Sequence, residues 1–265
     1  MAMVVPPSAQ PASTLKSDQR SVAGANSTAD AAAAALENVE AIEPRLILST
    51  INEAADKPVV GVQVDTGAGA VELPIDPGDA LHLTGWSDET LSIHLPYARH
   101  AEEAVQLDEG AIVYTGAQSS NAAVISTAGL QLLTIVNGAN SPTRCSYELS
   151  LEPGQVLELV DGGAQVIDPD GSTAFVVSQA WARDANGAHV PTSYDVSENV
   201  LTQVVTHIGS DVAYPVVADP IFIAPWVFRC LLGLGLNGPQ IVAAFASGTI
   251  WGGLGRAALA CALGK

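Results

Sequence analysis

Val156-Leu-Glu-Leu-Val-Asp161-Gly-Gly-Ala-Gln-Val-Ile167 decides how this chain is read. Two short β-prone runs flank Asp161-Gly162-Gly163, and an Asp-Gly pair readily takes the positive φ angles of a two-residue hairpin turn. The same pattern extends outward in both directions. Ala122-Ala-Val-Ile-Ser, the turn Thr127-Ala-Gly and Leu130-Gln-Leu-Leu-Thr-Ile-Val predict a second hairpin. Leu46–Ile51, Pro58–Val64, Ala70–Ile75, Leu81–Trp86, Leu91–Leu95, Ala111–Tyr114, Thr173–Val177, His189–Val196 and Val200–His207 read as further strands. Strands at such regular spacing, separated by turn residues, predict a mainly β fold: an antiparallel meander or sandwich over residues 46–220.

Residues 1–45 read differently. The first stretch, to about residue 27, is rich in Ser, Ala, Pro and Gln and is expected to be disordered. Its Met1-Ala-Met-Val-Val-Pro-Pro-Ser-Ala-Gln-Pro-Ala start resembles the end of a secretory signal with a small-residue cleavage region. A short N-terminal helix is predicted over Ala29–Ile42, capped by Ser27 or Thr28 and stopped by Pro44.

Residues 221–265 form a third region. Beyond Asp219 there is no acidic residue, and Arg229, Arg256 and Lys265 are the only charges. The whole chain carries 28 acidic against 10 basic residues, a net charge of −18, so an acidic body precedes an apolar, cationic, Gly-rich tail. Asn237-Gly238-Pro239 splits that tail into two helical segments, with Asn237 or Gly238 as the cap of the second. Gly248, Gly252, Gly253 and Gly255 together cost the second segment roughly 4 kcal/mol relative to Ala, so it needs a partner surface. A Cys230–Cys261 disulfide across a helical hairpin contributes on the order of 3–4 kcal/mol and offsets that cost.

Charge and motifs narrow the function classes. An acidic chain without a basic stripe is not built for nucleic acid. Asp168-Pro-Asp-Gly-Ser lacks the spaced ligands of a calcium loop and reads as a turn. The histidines are scattered, the cysteines lack metal-ligand spacing, and there is no Gly-x-Ser-x-Gly elbow or phosphate-binding Gly-rich loop. No metal, cofactor or catalytic residue is therefore assigned, and an extracellular hydrolase is the third-ranked reading.

Ala180-Trp-Ala-Arg-Asp-Ala-Asn-Gly187 continues through Tyr194, Leu201–His207 and Tyr214-Pro-Val-Val-Ala-Asp-Pro220. This stretch resembles a module of secreted proteins of unknown function from high-GC Gram-positive bacteria. The resemblance implies a β-rich stalk ahead of a variable, bacteriocin-like C-terminal segment. The leading expectation is a secreted precursor or carrier of a membrane-active peptide. It would be released by a processing protease at the Asp219-Pro220 junction, with Trp226, Phe228, Arg229, Phe245, Trp251 and Arg256 contacting a bacterial membrane. The alternative is a cell-envelope structural or interaction protein whose tail docks on its own β-domain or anchors it.

The cysteines provide an early test. In protein recovered from an oxidising exterior, thiol labelling under denaturing, non-reducing conditions should modify Cys145 alone. Labelling of all three cysteines would exclude the Cys230–Cys261 bridge.

Overall fold

Asp161 and Gly162 take φ angles of 45° and 81° and close a two-residue turn in which Val160 faces Gly163. Positive φ at both central positions is the turn geometry that follows the twist of antiparallel strands. A computed structural model of the chain describes residues 15–43, 46–48, 50, 58–66, 69–84, 90–108, 110–126, 129–209, 211–223, 225–237 and 240–241.

Among these, two antiparallel sheets dominate. The first runs in the spatial order β1 (Gln63–Asp65), β2 (Ala70–Glu72), β3 (Leu81–Thr84), β4 (Thr90–His94), β9 (Arg144–Ser150), β15 (Val200–Val205), β14 (Thr192–Ser197). The second runs β10 (Val156–Val160), β11 (Gly163–Ile167), β12 (Thr173–Val177), β17 (Ile221–Ile223), β8 (Gly129–Val136), β7 (Ser119–Ser126), β6 (Ile112–Tyr114), β5 (Val105–Gln106). Two more strands, β13 (Trp181–Arg183) and β16 (Val216–Asp219), join the second sheet through β8.

The sheets share one core. The rings of Tyr147 in β9 and Phe222 in β17 meet edge-on at 6.4 Å, and Thr134 in β8 hydrogen-bonds the Tyr147 hydroxyl at 2.9 Å. β9 alternates exposed and buried along its length, so only one of its faces is covered. β7 and β8 are buried at every position, which requires cover on both faces. Beside them lies α1 (Leu15–Ile42), which contacts the flanking strands β6 and β16.

Helix α1 starts well before the predicted Ala29, so residues 15–27 are helical rather than disordered along that part, and Ser27 and Thr28 are interior rather than capping. Good helix formers such as Leu15, Lys16, Gln19, Arg20 and Ala23 extend it upstream. Ala29, Ala32, Ala35, Leu36 and Val39 form its buried face, three or four residues apart.

Leu46–Leu48 is buried but forms no strand, contrary to the reading of Leu46–Ile51. Its backbone finds a side chain instead of a ladder. Leu48 N–H donates to Gln131 Oε1 at 2.7 Å, and Gln131 Nε2–H donates to Leu46 O at 3.1 Å.

The second sheet continues past the expected boundary at 220. Ile221–Ile223 is a strand inside the second sheet, hydrogen-bonded to β12 on one side and β8 on the other. Beyond it, α2 (Pro225–Gly233) packs on β12 with Val227, Phe228 and Leu231 buried. The helix ends where Gly235, at φ 89°, donates to Leu232 O while Leu236 N–H donates to Leu231 O. Asn237 Oδ1 then accepts from Gln240 N–H at 2.9 Å, and Gln240 Oε1 accepts from Asn237 N–H at 3.0 Å. This reciprocal pair caps a new helical turn, as the sequence predicts. The rest of the expected hairpin lies outside the described residues.

The end of α1 is locked to the β13 turn. Arg183 grips Glu43 through two hydrogen bonds of 3.0 and 3.1 Å, and Asn38 Nδ2–H donates to Ala185 O at 2.7 Å. Gly187 in that turn has φ 78°, and a Cβ there would overlap Ile42 Cγ2. Gly187→Ala should therefore cost about 2–4 kcal/mol, combining backbone strain with overpacking. Urea denaturation measures it, and a loss near zero would show that α1 does not bear on this turn.

Candidate functional site

Trp181 pairs with Asp219 across the β13–β16 ladder, and this pair is the centre of a polar cluster between the sheets. Asp219 is fully buried, with Trp181 4% exposed. Around them stand Gln131 from β8, Tyr194 from β14 and Gln203 from β15, so three neighbouring strands in addition to β13 and β16 contribute. Gln131 Nε2–H donates to Asp219 Oδ2 at 3.2 Å. The Tyr194 hydroxyl donates to the Asp219 backbone oxygen at 2.8 Å. Gln203 Nε2–H donates to Trp181 O at 3.1 Å.

Three buried atoms in this cluster have no protein hydrogen-bond partner: Trp181 Nε1, Gln203 Oε1 and Asp219 Oδ1. Buried polar groups are normally paired, so orphans gathered in one place call for an explanation. Burial pushes the Asp219 carboxyl well above the usual carboxylate range; Gln131 and then Trp181 pull weakly the other way. The Trp181 indole is close enough to interact with the carboxyl, yet the two do not reach hydrogen-bond geometry. A carboxyl without solvent or a cation beside it is held in its neutral form.

Trp181, Tyr194, Gln203 and Asp219 all lie within residues 180–220. The same stretch supplies Asp184, whose Oδ1 accepts from Asn186 and Ala188 N–H and whose Oδ2 accepts from Ala213 N–H. It also supplies buried His207, which is flanked by the Tyr214 hydroxyl at 3.0 Å and Pro142 O at 3.2 Å. These two residues brace loops around the cluster.

The residues expected to contact membrane are distributed otherwise. Phe228 is 1% exposed, buried on the helix that packs on β12, so in the folded chain its side chain faces the core. Arg229 is exposed on α2, and Trp226 lies in the first turn of that helix. Phe245, Trp251, Arg256 and Cys261 lie outside the described residues. Cys230 is half-buried in α2, and its pairing with Cys261 therefore remains an expectation. Cys145 is free and buried as expected, with its thiol pushed up to about 11 by burial. The Asp219-Pro220 junction is buried on both sides of the bond, out of reach of an external protease in the folded chain.

The Asp168 segment is a turn, as read from the sequence. Asp168 accepts from Gln155 Nε2–H on one oxygen and Ser172 Oγ–H on the other. A cleft of about 600 Å³ lies between α1 and the β5–β6 edge, with Leu36 and Val124 in its wall and Asp30, Glu37, Glu40 and Asp108 around it. Its acidic lining suits cationic ligands. Among the described residues, no three His, Cys, Asp or Glu side chains are grouped to hold a metal ion, and no helix is long and apolar enough to cross a membrane.

Asp219 sets a pH dependence. A carboxyl whose folded pKa is raised stabilises the fold fully below the unfolded value, 3.8, and that stability is lost as pH rises through the folded pKa. Asp219→Asn keeps the shape and removes the titration. The variant should melt higher than the wild type at pH 8, and the gap should close as pH falls towards 3.8. Thermal melts across that range test this; a gap independent of pH would mean that the carboxyl titrates alike in the folded and unfolded chain, so that burial does not raise it.

No family model, curated protein or solved structure matches this chain.

Proposed function

We propose that this chain is a cell-envelope interaction protein whose C-terminal segment is docked into its own β-domain. The observation that carries the reading is the position of β17, a strand of the segment expected to be released, between β12 and β8. Ile221, Phe222, Ile223, Val227, Phe228 and Leu231 are all at most 2% exposed. Burying each such side chain is worth about 1.5–3 kcal/mol, so together they rival the 5–15 kcal/mol that holds a whole domain folded. Releasing a peptide that begins at Ile221 would open the sheet at its middle.

On this reading the tail is a structural element, and the remaining segment completes a hairpin closed by Cys230 and Cys261. The cationic residues Arg229, Arg256 and Lys265 then offset part of the body's negative charge. Secretion, suggested by the resemblance, brings the protein to a bacterial membrane or another envelope component as partner. The acidic surface favours partners that present positive charge.

Truncation separates docking from release. A chain ending at Pro220 should show no cooperative unfolding transition, because it lacks β17 and α2, whereas the full-length chain should show one. A cooperative 1–220 fragment within about 1 kcal/mol of the full chain would reinstate the releasable-peptide reading.

A further inference from the structure

Asp219-Pro220 is one of three Asp-Pro bonds in the chain, with Asp76-Pro77 and Asp168-Pro169. The fold treats the three carboxyls differently. Asp76 is exposed, and its Oδ1 accepts from Gly78 N–H. Asp168 has a donor on each oxygen. Asp219 is fully buried, and its Oδ1 has no partner.

We propose that the folded protein cleaves its own backbone between Asp219 and Pro220, with the Asp219 side chain as nucleophile. The side-chain oxygen attacks the carbonyl carbon of its own residue, closing a five-membered ring. The electron pair of that carbonyl moves onto the Asp219 backbone oxygen, where the Tyr194 hydroxyl already donates from 2.8 Å. One preorganised donor at a developing oxyanion is a large electrostatic contribution to such a step. Collapse of the tetrahedral species re-forms the carbonyl and breaks the C–N bond. The pair from that bond goes to the Pro220 nitrogen, which takes up the proton of the Asp219 carboxyl and leaves as a secondary amine.

The product at Asp219 is a cyclic anhydride. Water then opens it to two carboxyl groups, so the net change is one peptide bond and one water consumed. No oxidant, metal or other reactant is needed.

Each neighbour has a part in this. Gln131 holds Oδ2 at 3.2 Å, leaving Oδ1 unengaged. Burial keeps the carboxyl protonated, so the proton required by the leaving nitrogen is on site. It also keeps the Tyr194 phenol neutral, hence able to donate. Pro220 has no N–H, so the backbone ladder loses no donor when the bond breaks. Its carbonyl is retained by Leu132 N–H at 2.9 Å.

After cleavage neither fragment is free to leave. β16 stays paired with β13 and β8, and β17 stays paired with β12 and β8. The cut chain keeps the tail docked, so this proposal and the docked-tail reading are tested separately.

The experiment incubates the full-length folded protein between pH 4 and pH 8 and follows intact mass after denaturation. The expected result is a single cut, giving fragments 1–219 and 220–265, with the Asp76-Pro77 and Asp168-Pro169 bonds whole. Under native size exclusion the two fragments should co-elute. Hydroxylamine should trap the anhydride as a hydroxamate at Asp219. Tyr194→Phe should slow the cut about 10-fold or more, and Asp219→Ala should abolish it. In denaturant, the three Asp-Pro bonds should break at similar slow rates. A folded chain that stays uncut, or one that breaks at all three bonds alike, overturns the proposal without recourse to any variant. An unchanged rate in a folded Tyr194→Phe chain overturns the oxyanion assignment and with it the geometry argued here.

Discussion

β8 is the strand on which the rest of the structure depends. It pairs along its whole length with β7 on one side. On the other it pairs with the chain from Val216 to Ile223, interrupted at Asp219 and Pro220. That second partner divides its own far edge, with Val217–Asp219 bonded to β13 and Phe222–Ile223 bonded to β12. Proline suits the dividing point because it has no N–H to leave unpaired there. The C-terminal region is consequently built into the sheet that it was expected merely to follow.

Dividing a strand inside a core creates a polar problem, and the cluster around Asp219 is its consequence. At the split, Gln131 serves both the Leu46–Leu48 segment and the Asp219 carboxyl, while Tyr194 reaches across from the other sheet to the Asp219 backbone. A neutral carboxyl avoids the cost of a bare buried charge, but it leaves Oδ1 and the nearby Trp181 Nε1 and Gln203 Oε1 unpaired. An unsatisfied, desolvated carboxyl beside a tertiary amide is also a chemical arrangement. Stability and reactivity here therefore rest on the same atoms.

The tail's position changes how the charge asymmetry is understood. A cationic apolar segment behind an acidic body is compatible with release or with docking, and charge alone does not separate them. Burial of Phe222, Phe228 and Leu231 in the β-domain's own core is what supports the docked reading proposed above. The acidic cleft beside α1 remains open on the surface and gives the body a place to meet cationic groups.

Local chemistry made much of the β-domain legible in the sequence. Asp161-Gly162 announces its turn because few residues accept positive φ, and the 122–136 hairpin follows from two apolar runs around Thr127-Ala-Gly. Asn237 and Gln240 likewise declare a helix start within four residues. Leu46–Leu48 reads as a strand in the sequence, yet its partner is the side chain of Gln131, distant in the chain, and no local pattern encodes that. Gln131 was visible only as a polar residue inside Leu130–Val136, and Tyr194 and Gln203 as ordinary strand positions. Ile221–Ile223 looked like the start of an apolar tail, since three apolar residues are the same whether they enter a sheet or a helix. Sequence by itself determined which short segments could be strands, turns and caps, because those preferences act over a few residues. Only the packed fold shuts Asp219 away from solvent and so raises its carboxyl, because that depends on which distant strands close over it.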